Sequence, residues 1–224
     1  MASRVLLVVP AFNEASSIAG VLDSLSMLPY DVLIVDDGSL DDTVRLARDA
    51  GFRLVRHSLN MGYGAAVSTG FEVARREGYD VVVTFDADGQ HNPGEVVKLV
   101  DALSDADVVI GVRKINLARM PLVKRVGNGL LNVLTFLLFG VWSSDSQSGL
   151  RAFNRRAVDS IRVKSNRYEV SSEILLEVRR KGLVMREVPV EVIYTSHSIS
   201  KGTNVYDGFR ILWRMLLHRP GGGR

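Results

Sequence analysis

Two carboxylates separated by one residue, Asp86 and Asp88, are the side chains of this chain best suited to hold a metal ion. They follow an apolar run, residues 81–85, whose length and composition predict a buried strand. Hard oxygen ligands suit Mg²⁺ and Mn²⁺, and Mg²⁺ commonly binds through one or two carboxylates together with substrate phosphates. Gln90 and His91 are further candidate ligands. The alternative is an acidic turn that only caps the next helix.

The residues after this turn predict the start of a helix. Asn92 is the expected N-cap, Pro93 the first helical residue and Glu95 the third, which is the acidic position of a capping box. The two carboxylates are therefore expected between the end of a strand and the start of a helix. Ligands of open α/β sheets bind outside the carboxyl ends of the strands, so this position favours a ligand site.

The first 110 residues alternate between strand-like and helix-like segments. Apolar strands are predicted at residues 4–9, 32–35, 52–56, 81–85 and 107–111. The first intervening helix has an apolar face made of Ile18, Val21, Leu22 and Leu25. Ser39 and Asp42 fit a capping box that opens the second helix. Five strands alternating with helices predict an α/β fold with a parallel, Rossmann-like sheet and right-handed crossovers.

Polar loops follow four of the predicted strands. They contain, in chain order, Asn13 and Glu14; Asp36 and Asp37; Asn60, Gly62 and Gly64; and Asp86 and Asp88. The carboxyl ends of parallel strands share one edge, so we expect these loops to line one pocket. The glycine fingerprint of dinucleotide-binding proteins is missing after the first strand, and no Walker A segment occurs. A dinucleotide-dependent dehydrogenase is therefore disfavoured.

Charge is distributed unevenly along the 224 residues. Residues 1–110 carry a net charge of −9 and residues 111–224 a net charge of +12. This split suggests an acidic half that uses a metal and a basic half that faces anions, such as ligand phosphates, a membrane surface or nucleic acid. A solvated basic face is the alternative. The chain has no cysteine, which excludes disulfides and thiolate chemistry, and no signal peptide is recognisable at its start.

Two segments of the basic half have an interfacial pattern. The apolar run at residues 130–139 is much shorter than the ~20 residues of a spanning helix. It predicts either a core helix or a segment that rests in a membrane interface. A last helix, from about residue 205, places Trp213 and other apolar residues opposite arginines. The glycine-rich end, residues 220–224, is expected to be a disordered tail.

The segments between these two are polar loops and short regular elements. Residues 143–151 predict a polar loop, followed by a short apolar strand. Residues 168–181 have the spacing of a helix with Ile174, Leu175 and Val178 on one face. A strand or two is predicted at residues 184–194, broken by Pro189, before a small polar loop at residues 195–203.

Eight short motifs occur in order along nearly the whole chain. They are PAFNE (10–14), VDDGSLDDT (35–43), LNMGYGAA (59–66), DADGQH (86–91), GVR (111–113), DSQSGLRAF (145–153), EVPV (187–190) and SISKG (198–202). In this order and spacing they resemble the inverting nucleotide-sugar glycosyltransferases of family 2, which have the GT-A fold. The nearest branch is the polyprenyl-phosphate hexosyltransferases, which include dolichyl-phosphate mannose synthase. The resemblance implies one catalytic domain over residues 1–219, with a nucleotide-binding half to residue 110 and an acceptor-binding half after it.

The resemblance also implies roles for particular residues. Those implied to bind the nucleotide sugar are Pro10, Ala11, Asn13, Glu14, Asp37, Asn60, Gly64, Asp86, Ala87, Asp88, Ser148, Gly149 and Lys201. Asp86, Asp88 and Gln90 would hold Mg²⁺ or Mn²⁺ against the donor pyrophosphate. Arg113, Arg125 and Lys201 would face the phosphates of acceptor and donor. The candidate catalytic residues are Asp88, Arg113, Arg125 and Asp145.

The role of Asp145 depends on the acceptor. A phosphate monoester is already ionised and needs no strong general base, whereas an alcohol needs one, and Asp145 is the best candidate. The alternative is a turn carboxylate that is held by local backbone groups.

The resemblance implies transfer of mannose or glucose from GDP-mannose or UDP-glucose to a polyprenyl or dolichyl phosphate. We expect a cytoplasmic protein at the inner face of a membrane, bound to the lipid surface or to a membrane partner protein. A soluble acceptor and a catalytically silent nucleotide-sugar-binding module are the alternatives, and the intact Asp86, Asp88 and Gln90 set argues against a silent module. No nucleic-acid partner is expected, because the basic half lacks an aromatic-interleaved patch or a known motif.

Overall fold

The computed structural model describes residues 3–113, 133, 136, 141–165 and 169–192. The predictions for Arg125, Lys201, Trp213, the loop at residues 195–203 and the C-terminal tail lie outside these residues. So does most of the apolar run at residues 130–139. Within the described part of the chain, no helix combines the length and apolarity that a membrane span requires.

A mostly parallel sheet forms the centre of the described structure. Its seven strands are β1 (Val5–Ala11), β2 (Asp31–Asp36), β3 (Arg53–Arg56), β4 (Val81–Thr84), β5 (Val108–Arg113), β6 (Arg151–Asn154) and β7 (Met185–Val190). Their order across the sheet is β3-β2-β1-β4-β6-β5-β7. Strand β6 runs antiparallel to both of its neighbours, and every other pair is parallel. The predicted α/β fold with a mostly parallel sheet is therefore confirmed.

Helices cover both faces of this sheet. They are α1 (Ile18–Leu25), α2 (Thr43–Asp49), α3 (Tyr63–Glu77), α4 (Gly94–Asp101), α5 (Arg155–Ser160) and α6 (Val170–Arg180), with a short 3₁₀ turn at Ala102–Ser104. The predicted apolar face of α1 is confirmed, because its four apolar residues are all buried. The predicted face of α6 is buried as well.

The alternation of side chains along β1 divides the core into two layers. Leu7 and Val9 pack in the layer that contains residues of α1 and α4. Leu6 and Val8 point to the opposite face and pack in the layer that contains Phe71 of α3. All four β1 side chains are buried, which explains why the strand reads as a continuous apolar run rather than an alternating one.

The predicted capping box at Ser39 and Asp42 is wrong. Helix α2 begins at Thr43 with Asp42 as its N-cap, and the side chain of Asp42 makes no capping hydrogen bond. The side chain of Asp41 accepts the N–H of Thr43 instead, at 3.0 Å. The hydroxyl of Ser39 instead accepts a hydrogen bond from the backbone N–H of Asn13, 2.9 Å away. A tertiary contact between two loops thus replaces the local one that the sequence suggested.

The start of α4 differs from its prediction by one residue. Gly94 is the first helical residue, and the side chain of Asn92 accepts a hydrogen bond from its N–H at 2.9 Å. Pro93 occupies the N-cap position rather than the first helical one. Glu95 does not reach back to close a capping box, because its carboxylate is paired with Lys98 at 2.8 Å.

Pro189 does not break the last strand. Strand β7 continues through it, with Pro189 opposite Val112 of β5. Among the described strands, β7 lies at the edge of the sheet and pairs only with β5. An edge strand tolerates proline because one row of its backbone groups has no strand partner.

Candidate active site

The loops after β1 and β2 are joined at the carboxyl edge of the sheet. The side-chain oxygen of Asn13 accepts a hydrogen bond from the N–H of Leu40 at 2.9 Å. The N–H of Glu14 donates to the hydroxyl of Thr43 at 2.8 Å. Asn13 has a φ of 54°, a left-handed conformation that asparagine tolerates better than most residues. Asn13 and Glu14 are thus held at this edge by the neighbouring loop.

Asp37 joins the loop after β2 to the loop before α3. Its buried carboxylate accepts hydrogen bonds from the N–H groups of Met61 (2.9 Å) and Gly62 (2.6 Å), and it contacts Nδ1 of His57 at 2.8 Å. Asp37 therefore shapes the loop on which Asn60 lies. Its expected position near the nucleotide base remains a prediction.

The remaining residues predicted for the nucleotide pocket lie along the same edge. Pro10 and Ala11 end β1 beside the end of β2. Gly64 is buried in the first turn of α3, and Asn60 is exposed on the preceding loop. Ala87 is buried between the two carboxylates of the central motif. The structure thus brings these predicted residues to one edge, as the parallel strands imply.

Groups from three parts of the chain surround Asp86: the first residue of α3, its own loop and the loop at residues 143–149. The hydroxyl of Tyr63 donates a hydrogen bond to its Oδ1 at 3.2 Å. Nε2 of His91 lies 3.8 Å from its Oδ2. A Cβ at position 149 would overlap this carboxylate, so only glycine fits there. Gly149, expected to shape the sugar site, therefore also makes room for a candidate metal ligand.

Asp88 has a different environment. The backbone N–H of Gln90 donates to its Oδ1 at 3.0 Å, and the side-chain amide of Gln90 contacts its other oxygen. Burial raises the pKa of Asp88, and the negative charge of Asp86 raises it further. Burial would also raise the pKa of Asp86, but the nearby His91 side chain, together with the hydrogen bond from Tyr63, lowers it below its ordinary value.

These two carboxylates fit a hard divalent cation. Two negative groups crowded at one edge repel each other, and a cation between them would offset that repulsion. The described residues contain no cluster of three or more His, Cys, Asp or Glu side chains that would hold a metal alone. A site with two carboxylates and one amide suits Mg²⁺ or Mn²⁺ that also binds substrate phosphates. Asp86, Asp88 and Gln90 are the residues that would hold it.

His91, a further candidate ligand from the sequence, lies behind Asp86. It is buried, and its ring meets that of Phe85 edge-on with centroids 5.8 Å apart. Its backbone forms an isolated bridge with Val192. Its Nδ1 has no hydrogen-bond partner among the described residues. His91 is thus a buried neighbour of the candidate ligand Asp86.

Arg113 and Asp145 form a bidentate ion pair beside this edge. Nη2 of Arg113 lies 2.7 Å from Oδ1 of Asp145, and its Nε bonds Oδ2. The pair joins the end of β5 to the loop at residues 143–149. Neither sequence reading of Asp145 foresaw this partner. The guanidinium of Arg113 thus fixes both oxygens of this carboxylate.

The loop at residues 143–149 is fixed by further groups. The hydroxyl of Ser148 donates to the carbonyl of Gly111 at 2.6 Å. The buried guanidinium of Arg151 donates to three carbonyls, those of Ser146 (2.8 Å), Ser148 (2.8 Å) and Ser171 (3.0 Å). Arg151 was predicted only as the last residue of a polar loop, whereas it begins strand β6. The available signal was a charged residue directly before a predicted apolar strand.

Comparison with known proteins identifies the family of the chain. Residues 6–162 match glycosyl transferase family 2. The chain is 38% identical to the UDP-N-acetylglucosamine–dolichyl-phosphate N-acetylglucosaminyltransferase of Methanococcus voltae, over 99% of this chain and 98% of that protein. It is 30% identical to the undecaprenyl-phosphate mannosyltransferase of Micrococcus luteus, over 85% and 84% of the two chains.

A solved structure shares the fold. The glucosyl-3-phosphoglycerate synthase of Mycobacterium tuberculosis, crystallised with Mg²⁺ and UDP, superposes with a TM-score of 0.74 at 23% identity, over 99% of this chain and 81% of that one. At this low identity, the likeness is evidence for the fold alone. The family match and the two sequence relatives identify the family. The chain belongs to glycosyl transferase family 2, and it is a glycosyltransferase with the GT-A fold.

Proposed function

We propose that this glycosyltransferase moves a sugar from a nucleotide sugar to a polyprenyl phosphate, in a reaction that depends on Mg²⁺ or Mn²⁺. The observation that carries the proposal is the pair Asp86 and Asp88 at the carboxyl edge of the sheet, with Tyr63, His91 and Gly149 around one of them. The departing nucleoside diphosphate develops negative charge, and a divalent cation held by this pair would stabilise that charge.

The choice of donor follows from the relatives. The Methanococcus voltae relative is named for UDP-N-acetylglucosamine, and the Micrococcus luteus relative is a mannosyltransferase. The family resemblance implied mannose or glucose as the transferred sugar. We place UDP-N-acetylglucosamine first among the donors to be tested, because that relative is more similar and aligns with almost the full length of both chains. GDP-mannose and UDP-glucose follow.

The ion pair at Asp145 supports a phosphate acceptor. An alcohol must lose a proton as it attacks, and Asp145 was the best base that the sequence offered. Both oxygens of this carboxylate are bonded to Arg113. A phosphate monoester is already ionised and requires mainly that it be held in line with the sugar. Asp145 then serves to orient Arg113 toward an anion.

An exposed apolar group supports contact with a lipid. Phe136 is 44% exposed and Trp142 is 55% exposed, and their rings meet edge-on with centroids 5.9 Å apart. Val133, one helical turn before Phe136, is also exposed. Aromatic side chains are favoured at membrane interfaces, where an apolar ring and a polar edge are both accommodated. We propose that the protein associates peripherally with a membrane. Its expected location at the cytoplasmic face remains a prediction.

The test is a matrix of three donors and two acceptors. Each donor is incubated with a short polyprenyl phosphate or with 3-phosphoglycerate, in Mn²⁺ or in excess chelator, and products are identified by mass spectrometry. We expect a lipid-linked sugar from one donor in Mn²⁺ and none in chelator. Transfer to 3-phosphoglycerate alone would refute the lipid acceptor. Full activity in chelator would refute the metal.

A further inference from the structure

We propose that Tyr63 is a positioning residue, whose hydroxyl holds the Asp86 carboxylate in the orientation that binds the divalent cation. The inference rests on the metal-dependent function proposed above and extends it to a residue that is not itself a ligand. It begins from a contact between two different parts of the fold. Tyr63 is the first residue of α3, and Asp86 follows β4.

The surroundings of Asp86 restrict how its carboxylate can turn. Tyr63 donates to Oδ1 at 3.2 Å, and His91 approaches Oδ2 to 3.8 Å. Gly149 packs so closely against the carboxylate that a methyl group there would overlap it. The Tyr63 hydroxyl is the nearer of the two polar groups, and a hydrogen bond to an ionised acceptor is stronger than one between neutral groups.

Asp88, the second carboxylate, makes no such hydrogen bond to another element in the described part of the chain. Among the described residues, its hydrogen bonds come from Gln90, two residues further along the same loop. Such contacts move with the loop and do not tie the carboxylate to the rest of the domain. Asp86 is therefore the ligand with a fixed direction, and Asp88 is the one that can adjust when the cation and diphosphate bind.

Tyr63 is itself held firmly. The preceding residue, Gly62, has a φ of 103° and donates its N–H to Asp37 at 2.6 Å. Two turns further along α3, Gly70 packs against Val8 of the central strand with no room for a Cβ. The first half of α3 is thus fixed at its start by Gly62 and near its middle by Gly70. The ring of Tyr63 therefore projects from a rigid element to the carboxylate of Asp86.

Groups that orient a metal ligand typically change metal affinity 10- to 100-fold when they are removed. Replacing Tyr63 by phenylalanine deletes the hydroxyl and keeps the ring, so the packing of α3 is retained. We expect Tyr63→Phe to weaken Mn²⁺ binding about tenfold.

The chain offers a matched control. The hydroxyl of Tyr79 donates to Oδ2 of Asp31 at 2.8 Å. This is the same phenol-to-carboxylate bond, but it lies at the amino ends of β2 and β4, away from the site. Tyr79→Phe should lower the unfolding temperature and leave Mn²⁺ affinity unchanged.

The experiment is calorimetric titration of Mn²⁺ into the full chain, with saturating UDP or, in parallel, saturating GDP. Wild type, Tyr63→Phe and Tyr79→Phe are compared, and their unfolding temperatures are recorded. A transfer assay adds a second readout. We expect Tyr63→Phe to require about tenfold more Mn²⁺ for half-maximal rate, with the maximal rate restored when Mn²⁺ is saturating.

The outcomes separate this inference from the function on which it rests. Wild-type Mn²⁺ affinity in Tyr63→Phe would overturn the positioning role and leave metal-dependent transfer intact. A lower unfolding temperature with unchanged Mn²⁺ affinity would overturn it too, because the role would then be purely structural. No Mn²⁺ binding by the wild type with either nucleotide would overturn both proposals.

Discussion

The loops that follow β1, β2 and β3 and the loop at residues 143–149 border the same site, but they differ in the more deeply buried groups that fix them to the protein. In the first set, side-chain oxygens accept hydrogen bonds from backbone N–H groups, as Asp37 and Ser39 do. In the second, the guanidinium of Arg151 donates to backbone carbonyls, and that of Arg113 donates to Asp145.

This difference changes the meaning of the charge split between the two halves. The acidic first half and the basic second half suggested a metal-using part and an anion-facing part. The structure shows that some charged groups of each half are bonded to other groups of the protein itself. Asp37 satisfies donors of its own loops, and Arg151 satisfies acceptors of its own. Net charge alone therefore overstates how many charged groups face a ligand, and each must be judged by its contacts.

The largest effect is expected at Asp88, a charged residue of the first half that is proposed to bind the metal. Asp88→Asn removes one of the two candidate metal carboxylates and one of two charges that repel each other. We expect kcat/KM for transfer to fall by about a thousandfold, equivalent to about 4 kcal/mol, while the protein stays folded. Steady-state kinetics and circular dichroism measure the two quantities. Near-normal transfer by the folded variant would show that Asp88 has no role in the metal site.

The next effect tests the internal use of charge in the second half. Arg151→Met keeps an apolar stem and leaves three buried carbonyls without their donor. We expect the free energy of unfolding to fall by about 3 kcal/mol in urea denaturation. Arg45→Met is the matched control, because Arg45 is 59% exposed and its ion pairs among the described residues are with the N-cap Asp42 and with Asp49 of the same helix. Equal losses in the two variants would contradict the proposed role of Arg151.

A third effect is expected at Arg113, which has both an internal partner and a proposed substrate. Arg113→Ala should lower kcat/KM for polyprenyl phosphate about 100-fold, or about 2.7 kcal/mol, without changing the dissociation constant of the nucleotide. Arg186→Ala is the control, because it breaks an arginine–aspartate pair that is exposed on both sides. Loss of nucleotide binding in Arg113→Ala would place Arg113 on the donor side instead.

The sequence predicted most of the first half because its signals are local. Strand β1 is buried on both faces and reads as an unbroken apolar run, and α1 shows its buried face at helical spacing. The convergence of the polar loops followed from parallel strands alone. The failures occurred where a tertiary contact replaced a local one. Ser39 caps no helix because it bonds Asn13, and Glu95 closes no capping box because it pairs with Lys98.

The second half was harder to predict for the same reason. Strand β6 is four residues long, and its position between β4 and β5 depends on partners 41 to 73 residues away in the chain. The pairing of Arg113 with Asp145 spans 32 residues. No spacing rule links such residues. Their contacts become visible only when β5, β6 and β7 are in place.

The smallest effect is expected at Asp107, which is an exception to this comparison. Its carboxylate accepts hydrogen bonds that fix strands of the second half. Asp107, at the start of β5, accepts hydrogen bonds from the N–H of Val184 (2.9 Å), the amide of Asn154 (2.9 Å) and the guanidinium of Arg156 (3.0 Å). Burial would raise the pKa of Asp107, but these bonds and the charge of Arg156 lower it below its ordinary value. The folded protein therefore binds a proton at this site less readily than the unfolded chain does.

The sign of the pH effect follows from that lowered pKa. The stabilisation from Asp107 is fully present above the ordinary aspartate pKa of about 4, and it is lost as the pH falls through the lower folded value. Asp107→Asn should therefore reduce the free energy of unfolding by about 1 kcal/mol at pH 7 and by less at pH 3, which urea denaturation at both pH values measures. Asp105→Asn, at a neighbouring exposed carboxylate, is the control and should change neither value by more than a few tenths of a kcal/mol. If Asp107→Asn had the same cost at both pH values, packing rather than the ionised carboxylate would hold β5, β6 and β7 together at their far edge.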